Sequence, residues 1–294
     1  MSDLCVVIKD KYHRPKISLD FVLENNEACS SSSRNPYIQH FSEQIWINSI
    51  KSLSVINYAV KQLLNHRSLK KEITETYGAL VLMEKAARCY YNIGDSSNLL
   101  SFECLQLLNK NEQLVFYDIC SGKGIASFIL SFMFPNSKIY MVDYNKSLKL
   151  GHLNEIKNVQ FKYIDLYSSE FETYILETSS IHLQNKSMVF CFGLHLCGNL
   201  SIRLTNIYNV HSSIYCLVLS PCCMPKSRNP KKDLKNGLKS IPLLRNSAFF
   251  NYENWCLNVY FNIQKKNICK NINNHDDFVL SDKSTYIYAY RIVS

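Results

Sequence analysis

Through the middle of the chain, short apolar runs alternate with longer segments whose apolar residues recur every three or four positions. The runs Val115–Asp118, Lys138–Asp143, Val159–Asp165, Met188–His195 and Ile214–Ser220 predict buried strands. Between the first two, Ile125, Phe128, Ile129, Phe132 and Met133 share one helical face over Ile125–Phe134, and Pro135 stops the helix. A short helix is predicted over Lys146–Leu153. Ser169 and Glu172 read as a capping box for a helix over Glu170–Thr178. Leu200, Leu204, Ile207 and Tyr208 mark the next helix. Strict alternation of strand and helix predicts a mostly parallel sheet covered on both faces.

The flanks have other rhythms. From Tyr37 to Lys110 the period is helical, with Ile45, Trp46, Ile50, Leu53, Val60 and Leu64 on one face and Tyr77, Leu80, Val81 and Ala87 on a second. This region reads either as an ordinary helical cap or as a substrate-recognition lid. Leu4–Ile8 and Ile17–Leu23 suggest a hairpin, followed by a polar linker, Glu24–Asn35. At the other end Ala248–Ile263 suggests a helix. Asp277–Leu280 and Thr285–Val293 suggest an antiparallel hairpin closing the sheet edge. The expected organisation is an extension over 1–36, a helical region over 37–112 and an α/β domain over 113–294.

Composition narrows the class. Hydrophobic residues make up 47% of the 294 and charged residues only 19%, which suits a large core and excludes a solvated tail. No run reaches the roughly 18 apolar residues of a membrane span. Asp3, Lys9 and Asp10 surround the first apolar patch, unlike a signal peptide. Twelve cysteines without paired CxxC spacing read as reduced thiols. The expectation is a cytoplasmic or nuclear protein with no membrane contact. A formal net charge of +9 favours anionic partners. Lys226, Arg228, Lys231, Lys232, Lys235 and Lys239, with Pro225 and Pro230 among them, form a basic loop, either merely solvated or a phosphate-gripping arm for RNA.

Ligands of open parallel sheets bind outside the carboxyl ends of the strands. Those ends are Asp118, Asp143, Asp165, His195 and Ser220. After Asp118 the chain turns through Cys120, Gly122 and Gly124 into the first helix. Glycines there let a ligand approach the backbone, and the helix start offers N–H groups. Gly122-x-Gly124-x-x-Ser127 imitates a nicotinamide fingerprint but lacks its third glycine. An acid four residues before the first glycine is also foreign to that fingerprint and suits a cationic ligand with an amino group, such as S-adenosylmethionine.

Here the chain resembles the class I S-adenosylmethionine-dependent methyltransferases. Asp118-Ile-Cys-Ser-Gly-Lys-Gly124 is similar to their first motif, with Cys120 in place of the first glycine. Gly193-Leu-His-Leu-Cys-Gly198 and Ser220-Pro-Cys-Cys223 narrow the resemblance to a methyltransferase-domain group that includes Trm-type tRNA 2′-O-methyltransferases and methyltransferase-like proteins. The resemblance covers about residues 110–294 and implies a Rossmann-like α/β sheet of order 3-2-1-4-5-7-6 with strand 7 antiparallel. It implies that Asp118 serves the methionine amino group and that Cys120, Gly122 and Gly124 form the loop beneath the methionine. Asp143 would bind the ribose hydroxyls and Asp165 the adenine amino group. The zinc modules of the tRNA enzymes have no counterpart in the spacing of residues 1–110.

In that strand order Cys120, His195, Cys197, Cys222 and Cys223 crowd one edge of the sheet. Three readings are open. The residues are structural; or His195 is a general base and Cys222 a thiolate nucleophile; or His195, Cys197, Cys222 and Cys223 hold zinc. Adjacent cysteines sit awkwardly round a tetrahedral ion, so no metal is expected. The expected function is methyl transfer to RNA, tRNA or rRNA. Protein or small-molecule methylation, or a catalytically inactive cofactor-binding module, are the alternatives.

Overall fold

A computed structural model describes residues 19, 35–66, 68–94, 99–224, 251–264, 268–273, 276–281 and 284–292. The expected N-terminal hairpin, the linker to residue 34 and the basic loop from Lys226 to Lys239 lie outside the described residues.

Five strands run parallel: β1 (Leu114–Ile119), β2 (Lys138–Asp143), β3 (Val159–Tyr163), β4 (Met188–Cys197) and β5 (Cys216–Cys223). Strands β6 (Ile268–Asn273) and β7 (Tyr286–Arg291) complete one sheet of order β3-β2-β1-β4-β5-β7-β6, in which β7 pairs antiparallel with both β5 and β6, so β6 runs in the direction of the first five. The expected Rossmann-like α/β sheet is therefore present, with β7 reversed between β5 and β6.

Side-chain alternation divides the core in two. On one face Leu114, Phe116, Phe190, Phe192 and Val218 pack beneath the N-terminal helices and α6 (Ile125–Met133). On the other, Val115, Tyr117, Val189, Leu217 and Leu219 pack against α7 (Ser169–Gln184), α8 (Asn199–Val210) and α9 (Tyr252–Asn262). Period-two alternation sends successive residues to opposite faces, so a strand whose residues are all buried serves both layers. All six residues of β1 are buried in this way.

The N-terminal helices are α1 (Pro36–Ser42), α2 (Ile47–Ile56), α3 (Tyr58–Leu64), α4 (Leu69–Tyr90) and α5 (Glu103–Lys110). They share one core with the sheet. Helix α4 lies directly on β4, β5 and β7. Its buried Glu84 accepts the Cys104 and Leu105 amides at 3.1 and 3.0 Å, capping α5 from a neighbouring helix.

Several local expectations are corrected. Asp277–Leu280 is a turn, because the Asp276 carboxylate and carbonyl accept the Phe278 and Val279 amides, both at 3.0 Å. The partner of β7 is instead Ile268–Asn273, whose polar residues hid a strand. Lys146–Leu153 is not a helix: Asn145 Oδ1 accepts the Ser147 amide at 3.0 Å, and only a 3-10 turn, Gly151–Glu155, follows. The cap of α7 is Ser168, accepting from the Phe171 amide at 3.2 Å, while Glu172 bonds Arg203 at 2.6 Å. Helix α7 also runs past Thr178 to Gln184, with His182 buried against the Tyr140 hydroxyl at 2.7 Å. The C-terminal helix starts at Tyr252, capped by Asn251.

Gly78 of α4 lets the sheet approach. A Cβ there would meet the Tyr286 Oη at 2.8 Å and Val279 Cγ2 at 3.0 Å. The fully buried Tyr286 instead donates to the Glu75 carbonyl at 2.9 Å. Gly78→Ala gains about 1 kcal/mol of helix propensity but overpacks this contact, at a cost of about 1–3 kcal/mol. Urea unfolding is expected to show a net loss of stability.

Candidate active site

Strand β1 delivers Asp118 to the sheet's upper edge. Its carboxylate is fully buried and accepts the Ser127 hydroxyl at 2.6 Å. Burial pushes its pKa up to about 7 against the Ser127 hydrogen bond, and Glu72 and Asp143 push the same way. The loop that follows holds three positive φ angles, at Cys120 (58°), Gly122 (55°) and Gly124 (71°). A Cβ at Gly124 would displace the end of the Met141 side chain, and the left-handed φ there favours glycine. Cys120 adopts the same left-handed backbone without glycine's freedom, at a cost of about 1–2 kcal/mol. Its thiol is pushed up to about 12 by burial and by Asp143 and Asp118.

Asp143 clips this loop in place. Its Oδ2 accepts the Gly122 amide at 2.9 Å and its Oδ1 the Asn145 amide at 2.8 Å. Each oxygen retains acceptor capacity for a hydroxyl. Asp165 is exposed and accepts the Tyr167 amide at 3.0 Å. It shares a shallow recess with Asp143, Cys120, Ile164 and Leu200. The acid and glycine positions, with Cys120, thus line two adjoining depressions above β1 and β2.

The β4–β5 ladder breaks twice. Leu194 faces Ser220, but Leu196 faces Pro221, so His195 is an extra residue on β4. Cys197 then faces Cys223, which makes Cys222 an extra residue on β5. Bulges re-aim side chains, and both residues singled out for catalysis are the unpaired members of bulges. The released carbonyls find other donors. Cys222 gives its S–H to the His195 carbonyl at 3.3 Å, the Ser201 hydroxyl bonds Leu196 at 3.1 Å, and the Tyr252 hydroxyl bonds Pro221 at 2.6 Å.

His195, with φ of 64°, turns away from the cysteines and towards α4. Its Nε2 lies 2.8 Å from Glu75 Oε2 and 4.0 Å from Glu72 Oε2. The N–H direction is poorly aligned with Glu75, so the contact is a close charge pairing rather than a linear hydrogen bond. Glu75 is buried, with Lys71 at 3.4 Å from its other oxygen. This contact raises the His195 pKa against the opposing effect of burial. Burial likewise raises that of Glu72. Glu72 and Glu75 carried no signal beyond two acids three positions apart on a helix. Only the docking of α4 onto β4 makes them part of the site.

The four-residue zinc set is therefore not assembled, because His195 has left it. Cys197, Cys222 and Cys223 do converge, with Sγ of Cys222 at 2.8 Å from Cys197 and 3.7 Å from Cys223. Burial and these neighbouring sulfurs push the Cys222 thiol well up, which works against a thiolate nucleophile.

A cavity of about 300 Å³ joins these parts, lined by Asp118, Ser121, Gly122, Glu72, His66 and His195 among others. Ser121 Oγ is buried there without a hydrogen-bond partner among the described residues. A buried acid, an unsatisfied hydroxyl and a glycine turn fit a ligand with an ammonium group and hydrogen-bonding edges, as S-adenosylmethionine has. Such a cation favours ionised Asp118, so its binding releases a proton below pH about 7. Calorimetric affinity is expected to fall as the pH drops from 7.5 to 5.5, by up to about tenfold per unit. Asp118→Asn is expected to weaken binding and flatten that dependence.

Residues 90–229, just under half of the chain, match a family model described as a methyltransferase domain. No curated protein matches the sequence. Among solved structures the chain is similar to the antibiotic-resistance methyltransferase Kmr, at 10% identity and TM-score 0.39, over 65% of this chain and 93% of that one. It is similar to a chain of the fibrillarin/Nop5p complex at 12% identity and TM-score 0.36, over 62% and 74%. It is also similar to precorrin-6y C5,15-methyltransferase from Geobacter metallireducens GS-15 at 12% identity and TM-score 0.33, over 68% and 93%. The domain match and the strand order agree: residues 90–229 are similar to a methyltransferase domain, and they lie in a sheet of the Rossmann-like order 3-2-1-4-5-7-6.

Proposed function

We propose that the chain methylates RNA, with His195 as the general base. The observation that carries this reading is His195 on the wall of the Asp118 cavity, paired with the buried Glu75 behind it. The bound cofactor supplies an electrophilic methyl group on a sulfonium. Asp118 holds the cofactor's amino group, Gly122 and Gly124 let the loop lie beneath its methionine part, and Asp143 and Asp165 take its ribose and adenine. Nε2 of His195 is turned to Glu75, which leaves Nδ1 to accept the proton of the attacking hydroxyl or ring nitrogen. Glu75 stabilises the imidazolium that forms, and Glu72 adds negative charge nearby.

Cys222 supports the bulge rather than the chemistry, since its thiol is engaged by the His195 carbonyl and is hard to ionise. RNA as the acceptor is favoured by the net charge of +9 and by the cluster Lys226, Arg228, Lys231, Lys232 and Lys235, which suit phosphate contacts. Among the described residues no helix is long and apolar enough to cross a membrane.

Tritiated methyl from labelled S-adenosylmethionine is expected to enter cellular RNA rather than protein. His195→Ala is expected to reduce that transfer about 10²- to 10⁴-fold while leaving calorimetric cofactor affinity intact. Label appearing in protein would redirect the assignment to a protein acceptor, and no label in any fraction would favour a binding module.

Reversing Lys231 and Lys232 to Glu is expected to weaken RNA binding. The salt slope should shallow by roughly 0.7 for each phosphate that is no longer neutralised. Filter binding at several ionic strengths reads both effects. An unchanged affinity and slope would remove the loop from the interface.

A further inference from the structure

We infer that Cys197, Cys222 and Cys223 form a three-thiolate site for zinc, separate from the His195–Glu75 pair. The sulfurs come from the ends of two neighbouring strands, and one ligand atom from each residue lies within 4.8 Å of the others. Adjacent residues of a regular strand point to opposite faces, which is why Cys222 and Cys223 look unsuited to one ion. The bulge removes that objection. Cys222 is the extra residue, Cys223 pairs with Cys197 across the ladder, and all three sulfurs turn to one side.

The distances suit zinc after a small adjustment. With Zn–S bonds of about 2.3 Å, sulfurs of a tetrahedral site lie about 3.8 Å apart. Cys222 and Cys223 stand at 3.7 Å. Cys197 is closer to Cys222, at 2.8 Å, and needs to withdraw by about 1 Å, within reach of a χ1 adjustment. The backbone around the trio is pinned, since the Gly198 amide bonds the Cys223 carbonyl at 3.0 Å and the Tyr252 hydroxyl bonds that of Pro221. Cys197 is exposed and the other two are half-buried, so an ion can enter from solvent.

Among the described residues no fourth donor joins the group. The three described ligands leave the fourth tetrahedral position to a further donor or to water. On binding, three S–Zn bonds form, the three thiol protons pass to solvent, and no electron is transferred. His195 is two residues from Cys197, and on binding the Cys222 S–H bond to the His195 carbonyl is exchanged for an S–Zn bond, so the ion would take over bracing the bulges that aim the histidine.

The full-length protein, purified in reductant without chelator, is the material to test. Elemental analysis is expected to give about one zinc per chain, and Cys197→Ser or Cys223→Ser to lower it below about 0.1. Cobalt added to metal-stripped wild-type protein is expected to show thiolate-to-cobalt charge-transfer absorption that zinc abolishes. Retained S-adenosylmethionine binding shows that the variants are folded. Wild-type protein that stays below about 0.1 equivalents after dialysis against zinc overturns the site. So does a cobalt spectrum without thiolate bands, or recovery of Cys197 and Cys222 as a disulfide from reduced material.

Discussion

The β4–β5 ladder holds one residue too many on each strand, and the upper edge of the sheet is built round that mismatch. A regular ladder would send His195 and Leu196 to opposite faces and tie up their backbone groups in pairing. The two bulges break it, at the cost of ladder hydrogen bonds and of a left-handed backbone at His195. The cost is bearable because the released carbonyls are bonded by Cys222, Ser201 and Tyr252. Two of these donors come from helices on the Val115 face of the sheet, so that layer stabilises the geometry of a site formed above it.

The opposite layer completes the site. Helix α4 packs across β4, β5 and β7, and its first turns bring Glu72 and Glu75 to His195. Close approach depends on a glycine one turn later, where the Tyr286 ring occupies the space a side chain would need. The cavity is thus acidic on both sides, with Asp118 from the sheet and Glu72 from the helix. Burial raises the pKa of both carboxylates, and at Asp118 repulsion from Glu72 adds to it. An electropositive ligand relieves that repulsion, while an anionic one would worsen it.

The parallel sheet and the acid-ended strands were legible because strand periodicity and the Asp118–Gly124 turn are local signals. Asp143 and Cys120 were legible for the same reason, since each sits where a strand end meets a loop. Glu75 was not, because its role depends on which helix face meets β4, a long-range fact with no local mark. The bulges were hidden too. Nothing in Gly193-Leu-His-Leu-Cys or Ser220-Pro-Cys-Cys states that each contains one surplus residue, so His195 and the cysteines looked like one cluster rather than two. β6 was missed because an edge strand needs few apolar residues, and Ile268-Cys-Lys-Asn-Ile-Asn273 supplies little alternation.

The segment that matches the methyltransferase-domain model begins at Tyr90, where α4 ends. Glu72 and Glu75 therefore lie upstream of it, although their partner His195 lies within it. The glycine loop and strand-end acids are contained in the matched segment, whereas the carboxylate that governs the histidine is contributed from outside. Two chains could share every feature of that segment, and bind the same cofactor, yet differ in the basicity of the histidine because their preceding helices differ. Cofactor recognition and the proton acceptance proposed for the histidine are in this sense separately heritable parts of one cavity.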